Sequence, residues 1–126
     1  MAISALYVFA TLLCLGVGLA HSVLGERYIL IRLFRRPDLP KLFGGTEFTV
    51  RTLRFAWHLT TIAWWGAAVM FFCMSYAPLS SAVASRILAG VFLASAAVTF
   101  IGSRGRHLAW PVFLAIGAIA LYGSQA

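Results

Sequence analysis

The sequence predicts an all-α integral membrane protein, a four-helix bundle forming a single domain over residues 1–126. Three observations predict it. Hydrophobic residues make up 62% of the chain and charged residues only 10%, against about 25% charged in a soluble domain. The apolar residues are gathered into four runs separated by polar connections. The cations are concentrated in two of the three connections. A chain of this size could not cover such a composition with polar surface in water, and it is too apolar to be disordered. Ten Lys and Arg against three acids would suit nucleic acid on a water-facing surface. Here they lie between apolar runs, so no nucleic acid is expected, and a membrane surface is.

The first span is placed at 3–25, where Ile3 to Leu24 carries no charge. It is long enough to cross a bilayer, which takes roughly 20 residues. It is read as a retained helix, because a signal peptide has a basic start and a shorter apolar core. The connection that follows, Glu26 to Thr52, is long for a helix–helix loop. It begins amphipathically: Tyr28, Arg32, Arg35 and Arg36 share one helical face, with Ile29, Leu30, Leu33 and Phe34 opposite and Arg27 breaking the pattern. Such a face suits anionic lipid headgroups at this basic loop, or else an acidic partner. Pro37 and Pro40 end any helix there, Gly44–Gly45 reads as a turn, and Thr46 or Thr49 can cap the next helix.

The second span is placed at 53–76, the third at 81–103 after Pro78, and the fourth, which is short, at 107–124. Arg27, Arg32, Arg35, Arg36, Lys41, Arg51 and Arg54 lie in or beside the first connection, Arg104 and Arg106 in the third, and only Arg86 in the second. The positive-inside rule then puts both termini outside and the two basic connections in the cytoplasm. The expectation is a multi-pass protein of a bacterial-type inner membrane. Small residues at Gly90, Ala94, Ala97, Ala115 and Ala118 predict close packing of the last two helices, and the spare apolar surface predicts a homo-oligomer. Cys14 and Cys73 lie at different depths and are not expected to pair.

Ionisable residues inside spans are costly and mark candidate sites. His21 on the first helix and His58 on the second reach similar depth near the cytoplasmic boundary. Glu26 ends the first helix close by, opposing the helix dipole, which predicts an ion pair with Arg51 or Arg54. Arg51, Arg54 and His58 share a stripe of the second helix by their spacing, and Thr61 and Trp65 continue it inward. Cys14, Gly18, His21, Ser22 and Gly25 form a face of small residues on the first helix, against which Trp65 is expected to pack. The candidate cofactor site is therefore His21, His58, Glu26, Arg54, Thr61 and Trp65. Two imidazoles from facing helices can ligate haem iron axially, so haem b is the leading cofactor, with His21 and His58 as ligands. The same pair can bind another metal or hydrogen-bond a quinone, or the histidines can simply bridge the helices.

No nucleophile with a positioned base, phosphate loop or HExxH stands in the sequence, so no enzymatic activity is expected. Ser22 beside His21 is not a catalytic pair, since neighbours on a helix point about 100° apart. Two functions remain. One is binding of a small ligand or redox cofactor. The other is a structural or assembly subunit presenting its basic loop to a membrane-complex partner or anionic lipid.

Gly105-Arg106-His107-Leu108-Ala109-Trp110 resembles the Arg-His-Leu-x-Trp-Asp segment of the cytochrome b anchor subunit of succinate dehydrogenase. The likeness covers six residues of 126. Pro111 stands where that family has Asp, and four spans are expected where it has three, so no residue role is carried over. Arg54 to His58 also echoes Arg106 to Trp110, as a duplicated helical hairpin would.

Overall fold

The computed structural model describes residues 4–125. The proposed start of the first span at Ile3 lies outside them. Four long helices account for most of the chain: α1, Ala5–Leu33; α2, Glu47–Tyr76; α3, Ser81–Ser103; and α4, Ala109–Gly123. No strand occurs among the described residues. The first three helices are long and apolar enough to cross a membrane. The fourth has 15 residues and reaches about 22 Å at 1.5 Å per residue, short of a hydrocarbon core of about 30 Å.

α1 runs past the expected span end and takes in the amphipathic segment. Its turn over Gly25–Leu30 is π-helical, a widening often found at functional sites. It begins where Gly25 leaves room for the Trp57 indole, which a Cβ at that position would overlap. Leu30 is buried, at 2% exposure. On the opposite face the Arg27 and Arg32 guanidinium carbons stand 5.5 and 5.9 Å from the Tyr28 ring centre. The helix gives way before Pro37. Beyond it, Arg36 grips Asp38 through two hydrogen bonds of 2.9 and 2.7 Å, which holds that carboxyl below its usual range.

The turn falls one residue earlier than the glycine pair suggests. Phe43 and Gly44 take positive φ, 54° and 88°, and Leu42 pairs with Gly45. Thr46 occupies the N-cap position of α2 without a side-chain cap bond. The Thr49 hydroxyl instead donates to Pro40 O at 2.8 Å, tying the connection to the helix start. At α3 the cap is formed as sequence logic requires, Ser80 Oγ accepting from Val83 N at 3.3 Å. The last connection is held by Ser103, whose hydroxyl donates to Thr99 O at 2.6 Å and accepts from His107 N at 3.3 Å.

The expected closed bundle is instead an open row. α1 packs on α2, α2 on α3 and α3 on α4, and among the described residues no helices outside that order pack together. The reason is where the small residues sit. Gly18 of α1 receives Trp65, Gly66 of α2 receives Val91, Gly102 of α3 receives Phe55, and Gly117 of α4 receives Leu93. Each glycine faces a sequential neighbour, and no helix carries a second such seam aimed across a bundle. The expected stripe on the last two helices is also out of register: Gly90, Ala94, Ala97, Ala115 and Ala118 are exposed, while Ala89, Ala96 and Gly117 are buried. Cys14 and Cys73 are both free thiols.

The α1–α2 seam gives the first prediction. A Cβ on Gly18 would stand 2.5 Å from Trp65 Nε1 and 3.3 Å from Thr61 Cγ2. Gly18→Leu is expected to cost roughly 1–3 kcal/mol by overpacking, whereas Gly16→Leu, where nothing lies within 4 Å, should leave detergent melting unchanged. Equal melting of the two variants would contradict this seam.

Candidate functional site

At the basic end of the row, α1 and α2 join through a continuous hydrogen-bond chain. The spacing of Gly18, Ser22 and Glu26 on α1, four residues apart, sets three groups on one face. His58 and Thr61 of α2 answer them. Thr61, 5% exposed, sets its hydroxyl 3.1 Å from Gly18 O. Ser22 Oγ lies 2.6 Å from Thr61 Oγ1 and 2.9 Å from His58 Nδ1. His58 Nε2 lies 3.3 Å from Glu26 Oε2, and Arg54 Nη2 forms an ion pair with the other oxygen, Oε1, at 3.0 Å.

The single Thr61 hydrogen has two acceptors within reach, Gly18 O and Ser22 Oγ, and either hydroxyl can donate in the 2.6 Å pair. The Ser22–His58 bond runs in the direction that the imidazole tautomer sets. Ser22, His58 and Glu26 have the composition of a nucleophile triad, here tied to Thr61 at the serine end.

Four of the six expected site residues, Glu26, Arg54, His58 and Thr61, thus meet. The other two do not join them. Trp65 lies farther along the seam on Gly18, its indole donating to Leu15 O at 3.3 Å. His21 faces elsewhere: its ring stacks on Trp57 with centroids 4.4 Å apart and planes 1° from parallel, and meets Trp64 edge-on at 5.0 Å. His21 Nε2 donates to Trp57 O at 3.1 Å, and Trp57 Nε1 donates to His21 O at 3.0 Å. His21 lines a groove with Tyr28, Trp57 and Trp64, and His58 lines a different one.

The structure does not bring His21 and His58, the expected haem or metal pair, to one groove. Adjacent positions on both helices, Ser22 opposite His58 and His21 opposite Trp57, direct the two imidazoles to separate partners. No grouping of three His, Cys, Asp or Glu fit to hold a metal occurs among the described residues.

Glu26 pairs with Arg54, one of its two expected partners. Arg51 turns the other way, towards α3: its Nε donates to Glu47 Oε1 at 3.0 Å and its Nη1 to Gly102 O at 3.1 Å. Arg104 Nη1 joins the same Glu47 oxygen at 3.1 Å. Gly102 allows this approach, since a Cβ there would stand 2.9 Å from the Phe55 Cβ. His107 is held between aromatic rings, 5.8 Å from Phe48 and 5.1 Å from Phe55. The echoed tryptophans do not share a role: Trp110 donates to Gly105 O within its own connection, Trp57 across to α1.

Between α2 and α3 lies a groove of about 540 Å³. α2 lines it with Glu47, Val50, Arg51, Arg54, Phe55 and His58, and α3 with Val98, Ile101 and Gly102. The sequence reading missed Ser22, Trp57, Phe55, Glu47 and Arg104. One signal was available, the Glu47–Arg51 spacing of four residues. Compared with protein-family models, curated proteins and solved structures, the chain matches none.

Proposed function

We propose that the chain is a multi-pass protein of the cell membrane that holds a small amphiphilic ligand in the groove between α2 and α3. One observation carries this reading: charged and hydrogen-bonding side chains stand on the α2 wall of a concave space whose α3 wall is apolar. Ligand sites have this mixture, apolar walls with a few convergent polar groups. The polar side is braced by Glu26, Ser22 and Thr61, so the groups facing a ligand are held by a supporting shell. Two charged groups near the end of apolar helices also favour a molecule that brings its own tail.

The topology belongs to the same proposal. Nine of ten basic residues fall on the side of the first and third connections, which favours a cytoplasmic groove mouth. Fusions with a compartment-sensitive reporter should place residue 40 in the cytoplasm and residue 79 outside. A reporter at residue 40 that reads as outside would overturn the orientation.

The groove is tested by filling it. Native mass spectrometry of the purified protein should find a small amphiphile bound to the wild-type chain and absent from Val98→Trp, where an indole occupies the apolar side. Equal retention by both proteins, with melting unchanged, would place the ligand elsewhere and sink the reading.

A further inference from the structure

We infer that the ligand of the α2–α3 groove is a single-chain amphiphile with an anionic head, drawn from the bilayer. This rests on the reading of the groove as a ligand site and adds the chemistry of the occupant. The setting of His58 supplies the first argument. Both its ring nitrogens are engaged from α1, Nδ1 by Ser22 Oγ at 2.9 Å and Nε2 by Glu26 Oε2 at 3.3 Å. A carboxylate can only accept, so the ring turns its Nε2 hydrogen to Glu26 and offers the groove no free acceptor.

Charge counting supplies the second argument. The arginines at this end of the groove are Arg51, Arg54 and Arg104, and the carboxylates they contact are Glu26 and Glu47. The three arginines against two carboxylates leave an excess of one positive charge, with Arg106 adding to the field at Glu47. No acid on α3 faces them. The groove wall from that helix is Val98, Ile101 and Gly102.

Spare donors supply the third. A guanidinium has five N–H donors. Arg51 uses two in the bonds to Glu47 and Gly102, while Arg54 pairs with Glu26 by charge and lies over the Phe34 ring. The remaining donors have no protein acceptor among the bonds of the described residues. Charge-assisted hydrogen bonds to carboxylate or phosphate oxygens are about twice as strong as neutral ones. The tail follows from the other wall. Val98, Ile101 and Gly102 of α3 set no polar side chain opposite the arginines, so one chain lies along α3 while its head meets the arginines of α2.

The test compares heads on one tail. The protein in a neutral detergent is titrated with decanoate, decyl phosphate, decanol and inorganic phosphate, and occupancy is read by native mass spectrometry. Decanoate or decyl phosphate should bind roughly tenfold more tightly than decanol, a difference of about 1.4 kcal/mol, and inorganic phosphate far more weakly than decyl phosphate. The preference should fall towards one in Arg51→Gln and return in part in Arg51→Lys. Equal binding of decanol and the anions would overturn the inference and leave the groove standing as an amphiphile site. Phosphate binding as tightly as decyl phosphate would overturn the part that assigns a tail. Binding of none of the amphiphiles would remove the proposed function along with it.

Discussion

Trp57→Ala is expected to destabilise the protein by about 3 kcal/mol, the low end of the range for truncating a large aromatic side chain. The low end applies because Trp57 is half-buried, and lipid rather than water fills part of the space it leaves. Three contacts are lost together. The indole hydrogen bond to His21 O disappears, the parallel stack on the His21 ring opens, and the recess above Gly25 empties. All three hold α1 at the point where it widens into its π-helical turn. Trp57→Phe keeps a ring against His21 and gives up the hydrogen bond, so it should cost only about 1 kcal/mol. Reversible unfolding in detergent measures both. A loss for Trp57→Ala no greater than for Trp57→Phe would mean that the indole does not pin the two helices.

Glu26→Ala should cost roughly 1.5–3 kcal/mol, the range for hydrogen bonds to charged groups. The side chain has two partners, Arg54 on one oxygen and His58 on the other. Its removal leaves Arg54 and His58 at the groove without the carboxylate that stood between them. A fully buried pair would lose 3–5 kcal/mol on breaking. Here Glu26 and His58 are each 31% exposed and Arg54 is 47% exposed, so water recovers part of that energy. Glu26→Gln keeps an acceptor oxygen and should fall between the wild type and the alanine variant. Unchanged melting of Glu26→Ala, at low salt where surface screening is weakest, would show that the carboxylate is solvated rather than paired.

The order of the helices and most of their limits were legible in the chain. The apolar runs at 5–24, 55–76 and 81–103 can be read without a partner, because a helix in lipid satisfies its own backbone. The extension of α1 was legible as an amphipathic pattern, although the widened turn at Gly25 was not. That turn depends on Trp57 from another helix occupying the space a side chain would take. Legible too was the meeting of Glu26 with Arg54, since a carboxylate at a helix C-terminus needs a cation. Which arginine it takes depends on rotation: Arg54 faces α1, whereas Arg51, three residues earlier, reaches Gly102 and Glu47.

The histidines mark the division most plainly. Their shared depth follows from counting residues at a fixed rise of 1.5 Å, and the sequence alone determined it. Shared depth led to a shared cofactor, and that step needed the rotation of each helix about its axis. Tertiary structure decided the rotation through the seating of large side chains over glycines, Trp65 over Gly18 and Trp57 over Gly25. Those two contacts turn His58 towards Ser22 and Glu26, and turn His21 onto the Trp57 ring. They also decide that the helices form a row, because every glycine seat faces a sequential neighbour. Composition, depth and charge asymmetry are properties that residues carry along one axis, so a single chain displays them. The azimuth of a helix exists only relative to the helix beside it, and packing between the two is what sets it.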